Sequence, residues 1–202
     1  MRAKEFIKEV EIIPILSRDT FVSPYNHIRD HDAKKISVFY NHNNEPHDVY
    51  RSTSKGDDKY YFVNADNKNQ FTVSGEGIRR NGKTIGLMIN GVGAIPKSSV
   101  RAADAYKHLI LHHGLNLVSD TSQTKRGQKI WHRLGSEHVN SLKKGVEPDI
   151  QTHIVSGNKK IRNVPTTYAN QIKYNARYND PFNRSHDEVR LVATKNPNKK
   201  RR

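Results

Sequence analysis

The sequence predicts an α+β fold: a mixed, mainly antiparallel sheet with one crossover helix and a second helix towards the C-terminus. Three observations carry this. Residues 84–134 read as strand, helix, strand, helix with clear punctuation. Residues 36–83 alternate β-rich pieces with Asn, Asp and Gly clusters, the pattern of an antiparallel meander. Only 34% of the 202 residues are hydrophobic, so the core must be concentrated in these few stretches.

Taken in order, VEIIPIL over residues 10–16 predicts a first strand that Pro14 confines to an edge or a bulge. A short helix is expected around residues 25–30, then a strand at Ile36 to Tyr40. Strands follow near Asp48 to Ser52, Tyr60 to Asn64 and Phe71 to Ser74, with turns at Gly56 and at Asn81-Gly82. The apolar run TIGLMINGVGAIP ends at Pro96 as the central strand. Ser98 or Ser99 then caps a helix that Gly114 closes. Ala102, Ala105, Tyr106, Leu109, Ile110 and His113 share its apolar face, which turns Lys107 and His108 towards water. Residues 116–121 have the length of a buried strand, so the helix makes a βαβ crossover. Residues 123–134 form the second helix, with Ile130, Trp131 and Leu134 on one face. Ile150 to Ser156 is the last strand, reached through the turn-like VEPD.

Charge sets the class of partner. Thirty-five Lys and Arg against 20 Asp and Glu leave a net +15, and the pI is near 10.0. Such a balance points to a polyanion, nucleic acid first and an anionic membrane surface second. No apolar run reaches membrane-spanning length and the first residues lack the apolar block of a secretory signal. With no cysteine, disulfides, thiolate metal sites and a cysteine nucleophile are excluded.

The basic residues gather in a C-terminal extension, 158–194, where Lys159, Lys160, Arg162, Lys173, Arg177 and Arg184 are interleaved with Tyr168, Tyr174, Tyr178 and Phe182. Bases that neutralise phosphates and rings that stack on bases make this a candidate nucleic-acid surface; alternatively the rings cover the domain and the charges are solvated. Residues 195–202, with Lys195, Lys199, Lys200, Arg201 and Arg202, read as a disordered basic arm.

The segment AYKHLILHHGLNLVSDTSQTKRGQKIWHRL resembles the C-terminal half of the acyl-CoA N-acyltransferase (GNAT) fold, and the preceding meander has that family's order. The resemblance implies a GNAT-like domain over residues 10–157. It also implies a cofactor loop of the form Gln/Arg-x-x-Gly-x-Gly/Ala, whose backbone N–H groups hold a pyrophosphate at the helix start. Lys97, Ser98, Ser99, Val100, Arg101 and Ala102 occupy those positions, and Val100 replaces the first glycine with a β-branched side chain that obstructs a phosphate. No cofactor is therefore expected. If the loop does accept acetyl-CoA, the chain is an N-acyltransferase acting on an amine, with Tyr106 or Asp120 as the proton-transfer group.

The first nine residues, MRAKEFIKE, resemble the capsid-targeting leaders of internal head proteins of T-even bacteriophages, which end in Leu/Ile-x-Glu for the prohead protease. Ile7, Lys8 and Glu9 match that pattern, and cleavage leaves Val10 first; a frayed helical turn is the plainer reading of the same residues. The resemblance implies a protein of the virion interior, ejected with DNA into the host cytoplasm and meeting a host protein there.

Other constellations point to structure. His108 and His112 lie four apart on the crossover helix without an acidic partner at metalloprotease spacing, so no metal is expected. Asp120 follows Ser119 at a strand end, where a carboxylate serves as a base or caps the next helix. Gly75-x-Gly77 and Gly91-x-Gly93 read as turns or bulges. Nucleotide-triphosphatase, serine hydrolase and glycosidase signatures are absent.

Overall fold

The computed structural model describes residues 33–54, 56–119, 125–156, 159–161 and 189–199. The leader, the strand expected at 10–16 and the helix expected at 25–30 lie outside them. The described residues form a mixed α+β structure with a mainly antiparallel sheet and two helices. The elements are β1 (Lys34–Tyr40), β2 (Pro46–Ser54), β3 (Asp57–Val63), β4 (Asn69–Arg80), β5 (Lys83–Ala94), α1 (Ala102–His113), β6 (Asn116–Val118), α2 (Lys125–Lys143), β7 (Ile150–Ser156), β8 (Lys159–Ile161) and β9 (Val189–Lys195). Strands are hydrogen-bonded in the order β1-β2-β3-β4-β5-β6-β9-β7-β8. The chain divides into two compact units, and β3, β4 and β5 each contribute residues to both.

The first unit holds β1, β2, residues 59–74 and residues 91–100. Its turns are made by asparagine. Asn41 and Asn64 each open a hairpin loop by accepting a main-chain N–H on Oδ1, from Glu45 and from Lys68 respectively, both at 2.9 Å. Asn44 (φ 62°) and Asn67 (φ 59°) then take the left-handed conformation. Both loops bond N–H of the fourth residue to C=O of the first at 2.9 Å, and N–H of the first to C=O of the fifth at 3.1 Å. That is the three-residue hairpin loop with a left-handed closing residue, and asparagine tolerates the conformation because its short polar side chain bonds locally. Within this unit Phe39 meets Phe62 edge-on at 5.3 Å and Phe62 meets Phe71 at 5.8 Å. Tyr60, Tyr61, Phe62 and Val63 are all buried, so β3 is covered on both faces.

The second unit holds the crossover. β5 and β6 pair in parallel with Leu87 opposite Leu117, and α1 connects them, which is the βαβ unit expected from the sequence. β9 lies between β6 and β7, antiparallel to both. Leu87, Leu109, Ile110, Leu117, Trp131, Leu134, Leu191 and Ala193 are buried here, and Tyr106 of α1 packs edge-on against Trp131 of α2 at 5.7 Å. The helices are also joined by ion pairs, Lys107 to Glu137 at 2.7 Å and Arg133 to Asp104 at 3.9 Å.

Several expectations need correction. α1 begins with Arg101 as N-cap, without a side-chain cap; neither Ser98 nor Ser99 caps it, because both hydroxyls are engaged elsewhere. Gly114 closes it as expected, its N–H bonding Leu109 O. His108 does not face water: it is 7% exposed. α2 runs past Leu134 to Lys143 and stops in a Schellman motif, with Gly145 N–H on Leu142 O at 3.0 Å and Val146 N–H on Ser141 O at 2.9 Å. Leu142 and Val146, on either side of this cap, are both exposed. β6 ends at Val118, short of residue 121. The extension expected at 158–194 contributes β8 and most of β9 to the sheet.

The expected disordered arm at 195–202 is also revised. Lys195 closes β9 opposite Ile150, and Asn196 is 2% exposed. Asn196 Nδ2 donates to Pro148 O at 2.9 Å, its Oδ1 accepts from Gln151 and Asn198 N–H at 3.0 Å each, and its main-chain N–H bonds Asp149 O at 2.8 Å. Lys199 pairs with Asp149 at 2.9 Å. A stretch without apolar residues is thus held by one asparagine whose amide and main chain are both satisfied. Residues 200–202 lie outside the described residues.

Candidate functional site

The loop joining β5 to α1 holds the six residues that align with the cofactor loop, and two of its amides, those of Ser98 and Val100, are already bonded. Lys97 adopts φ 58°. Ser98 N–H bonds Ile95 O at 3.1 Å, and Val100 N–H donates to Ser98 Oγ at 3.1 Å. The Val100 side chain is 4% exposed, and Arg101 O accepts the N–H groups of Asp104 and Ala105 at 3.0 Å. Asp104 occupies the first turn of α1, where a carboxylate complements the helix dipole in the place an anionic ligand would take.

Ser99 belongs to a network with β2 and the β1–β2 turn. Its Oγ lies 2.9 Å from His47 Nε2, and His47 Nδ1 lies 3.1 Å from Glu45 O. A carbonyl only accepts, so Nδ1 carries the proton and Nε2 accepts from the serine hydroxyl. Asn41 Nδ2 donates to Glu45 Oε2 at 2.6 Å and to Ser99 O at 3.3 Å. His47 is 2% exposed, and the network clamps the loop onto the strand. Ser99→Ala strips a buried ring nitrogen of its partner and is expected to cost about 1–3 kcal/mol, read as a lower urea midpoint. Ser99→Thr, which keeps the hydroxyl, should restore most of it.

Tyr106 is 1% exposed in the core, and burial pushes its phenol pKa up, so it holds its proton. Asp120 lies outside the described residues. Ser119, just before it, extends the β6–β9 ladder: its N–H bonds Leu191 O at 2.8 Å and its Oγ accepts Leu191 N–H at 2.9 Å. On α1, His108 and His112 stack at 4.6 Å and His113 meets His108 at 5.3 Å. Among the described residues no group of three or more His, Cys, Asp or Glu is arranged to hold a metal.

The candidate nucleic-acid residues are only partly described. Lys159 and Lys160 lie in β8, Lys195 in β9, and Lys199 is engaged by Asp149. Arg162, Lys173, Tyr174, Arg177, Tyr178, Arg184, Lys200, Arg201 and Arg202 lie outside the described residues. Carboxylates are meanwhile taken up locally: Asp48 by Lys35 at 2.7 Å, Asp58 by Arg79 at 3.6 Å, and Asp104, Glu137 and Asp149 by the partners named above. In the second unit Arg80, Lys83, Lys129, Lys143 and Lys144 are exposed. Two of these, at the tip of the β4–β5 hairpin, were not singled out from sequence. The signal in the sequence is local: Arg79-Arg80 and Lys83 flank the Asn81-Gly82 turn, which sets three basic residues at one hairpin tip.

Among the described residues no helix is long and apolar enough to cross a membrane. No protein-family model matches the chain, and no curated protein or solved structure does.

Proposed function

We propose that this chain binds nucleic acid without reading its sequence, as an internal virion protein of the T-even phage type that is packaged and ejected with DNA, on a GNAT-like scaffold without acyl-transfer activity. The observation that carries the reading is the net charge of +15. Local ion pairs neutralise one base per carboxylate and leave that excess for solvent and a polyanion. The leader-like Ile7-Lys8-Glu9 supports the packaging part, and the β5–α1–β6 crossover supports the scaffold.

The test is binding to duplex DNA of mixed sequence across a salt series. Log affinity should fall with log salt at about 0.9 per phosphate contacted, equally for unrelated sequences. Removing residues 200–202 takes away three charges and should make that slope shallower by nearly 3. The truncation begins after Lys199 because Asn196 and Lys199 hold the start of β7. An affinity indifferent to salt overturns the reading.

One observation favours a second reading, N-acyltransferase: the parallel crossover places a loop with Lys97 and Arg101 at the start of α1. With the Ser98 and Val100 amides already bonded, acetyl-CoA should produce no thermal shift. Saturation at 100 times a dissociation constant would stabilise by about 2.7 kcal/mol, and a shift of that size lost on reversing both charges makes the enzyme reading the leading one.

A further inference from the structure

The β4–β5 hairpin ends in Ile78-Arg79-Arg80-Asn81-Gly82-Lys83, and every residue of this tip is exposed. Asn81 (φ 50°) and Gly82 (φ 73°) both lie in the left-handed region, which is the two-residue turn matched to the twist of a hairpin. The tip is therefore held by its own backbone. Its two faces differ. Arg79 Nη2 lies 3.6 Å from Asp58 Oδ1, and Thr84 Oγ1 donates to Asp58 Oδ2 at 3.2 Å, so Arg79 and Thr84 share the face over a carboxylate whose side chain is 0% exposed. Side chains alternate along a strand, which puts Ile78, Arg80 and Lys83 on the opposite face. Neither Arg80 nor Lys83 has an ion pair among the described residues, and Ile78 beside them is 39% exposed. One face thus pairs its arginine internally, and the other presents Arg80, Lys83 and an aliphatic side chain, with no ion pair to either cation among the described residues.

We infer that the tip of the β4–β5 hairpin, through Arg80 and Lys83, is a phosphate-contacting ribbon that docks on duplex DNA, with Ile78 against the sugar edges of the groove. This rests on the nucleic-acid reading above and gives it a described surface. A two-stranded ribbon is of a size that the major groove, about 12 Å wide, admits. The turn's fixed geometry means that little ordering cost is left for binding. The contacts are to backbone phosphates and so carry affinity without sequence preference.

The test uses the full chain, mixed-sequence duplex DNA and three double variants checked for an unchanged thermal midpoint. Arg80→Gln with Lys83→Gln should make the salt slope shallower by about 1.8, two contacts at 0.9 each. If the electrostatic contribution is taken to vanish at 1 M, affinity at 0.1 M salt then falls roughly 60-fold. Arg80→Lys with Lys83→Arg keeps both charges and should stay near wild type. Lys143→Gln with Lys144→Gln removes the same charge from the end of α2 and should change affinity by less than about threefold. Equal losses in the two neutralised variants would overturn the hairpin assignment while leaving the nucleic-acid reading standing. If the wild-type chain does not bind DNA, both fall. Binding to phosphatidylserine vesicles but not to DNA would assign the ribbon to a membrane surface and overturn the inference.

Discussion

Gly75→Ala is expected to destabilise the protein by about 3 kcal/mol or more, at the upper end of what overpacking costs. Gly75 lies inside β4, and a Cβ built there would collide with the Met88 carbonyl oxygen and come within 2.8 Å of its carbon. Both atoms belong to the backbone of β5, which cannot rotate away as a side chain would, so the strands must separate or slip. Gly77 offers a graded comparison, because its Cβ would meet the Asp58 carboxylate, a side chain already held by Arg79 and Thr84. Urea unfolding of both variants reads the prediction. A Gly75→Ala protein within 1 kcal/mol of wild type would show that the strands do not approach this closely.

Acidification should be the second large effect. His108, buried on α1, is held down to about 4 by burial first and by its neighbours His112 and His113 second. The unfolded chain binds that proton at the ordinary value of 6.5, so the folded state is favoured above pH 6.5 and loses the advantage progressively as pH falls towards 4. At about 1.36 kcal/mol per unit over the roughly 2.5 units between 6.5 and about 4, the loss amounts to at most about 3.4 kcal/mol. His138 adds to it in the same direction, since burial lowers its pKa and its Nδ1 accepts Thr152 N–H at 3.1 Å, a bond that protonation at that nitrogen breaks. His132 is likewise lowered by burial. Urea midpoints measured from pH 7.5 to 4.5 should fall steadily below about 6.5, and His108→Leu should flatten the curve without abolishing it. A midpoint constant over that range, or the same slope in the variant, would be incompatible with a buried neutral His108.

Much of the architecture was legible because it is written in local patterns. The strand over Ile36 to Tyr40, the meander that follows it, the Asn81-Gly82 turn and the close of α1 at Gly114 rest on alternation and turn chemistry that act within a few residues. The crossover could be foreseen from element lengths alone, since a strand, a 12-residue helix and a short apolar run have few ways to pack. What misled was information held elsewhere in the chain. His108 falls outside the apolar face that helical spacing defines on its own helix, yet the packing of the second unit buries it. Ser98 and Ser99 looked like caps, but Val100 N–H and His47 take their hydroxyls. The candidate interface was read at the C-terminus from density of charge along the chain, and the ribbon at Arg80 and Lys83 depends on which face of a hairpin each base occupies.

The sequence by itself determined the charge, the exclusion of cysteine chemistry, the α+β class and the places where the chain turns, because composition and short-range sterics need no partner. Only the tertiary structure decided where β9 goes, why Asn196 is buried and why Gly75 must be glycine. Each depends on a group distant along the chain: β6 and β7 on either side of β9, Pro148 O on the Asn196 amide, the Met88 carbonyl against Gly75. Val189 to Lys195 spans the end of the basic extension and the first residue of the expected arm, and becomes a strand because β6 and β7 on either side supply its hydrogen bonds, since a strand of seven residues has no stability of its own.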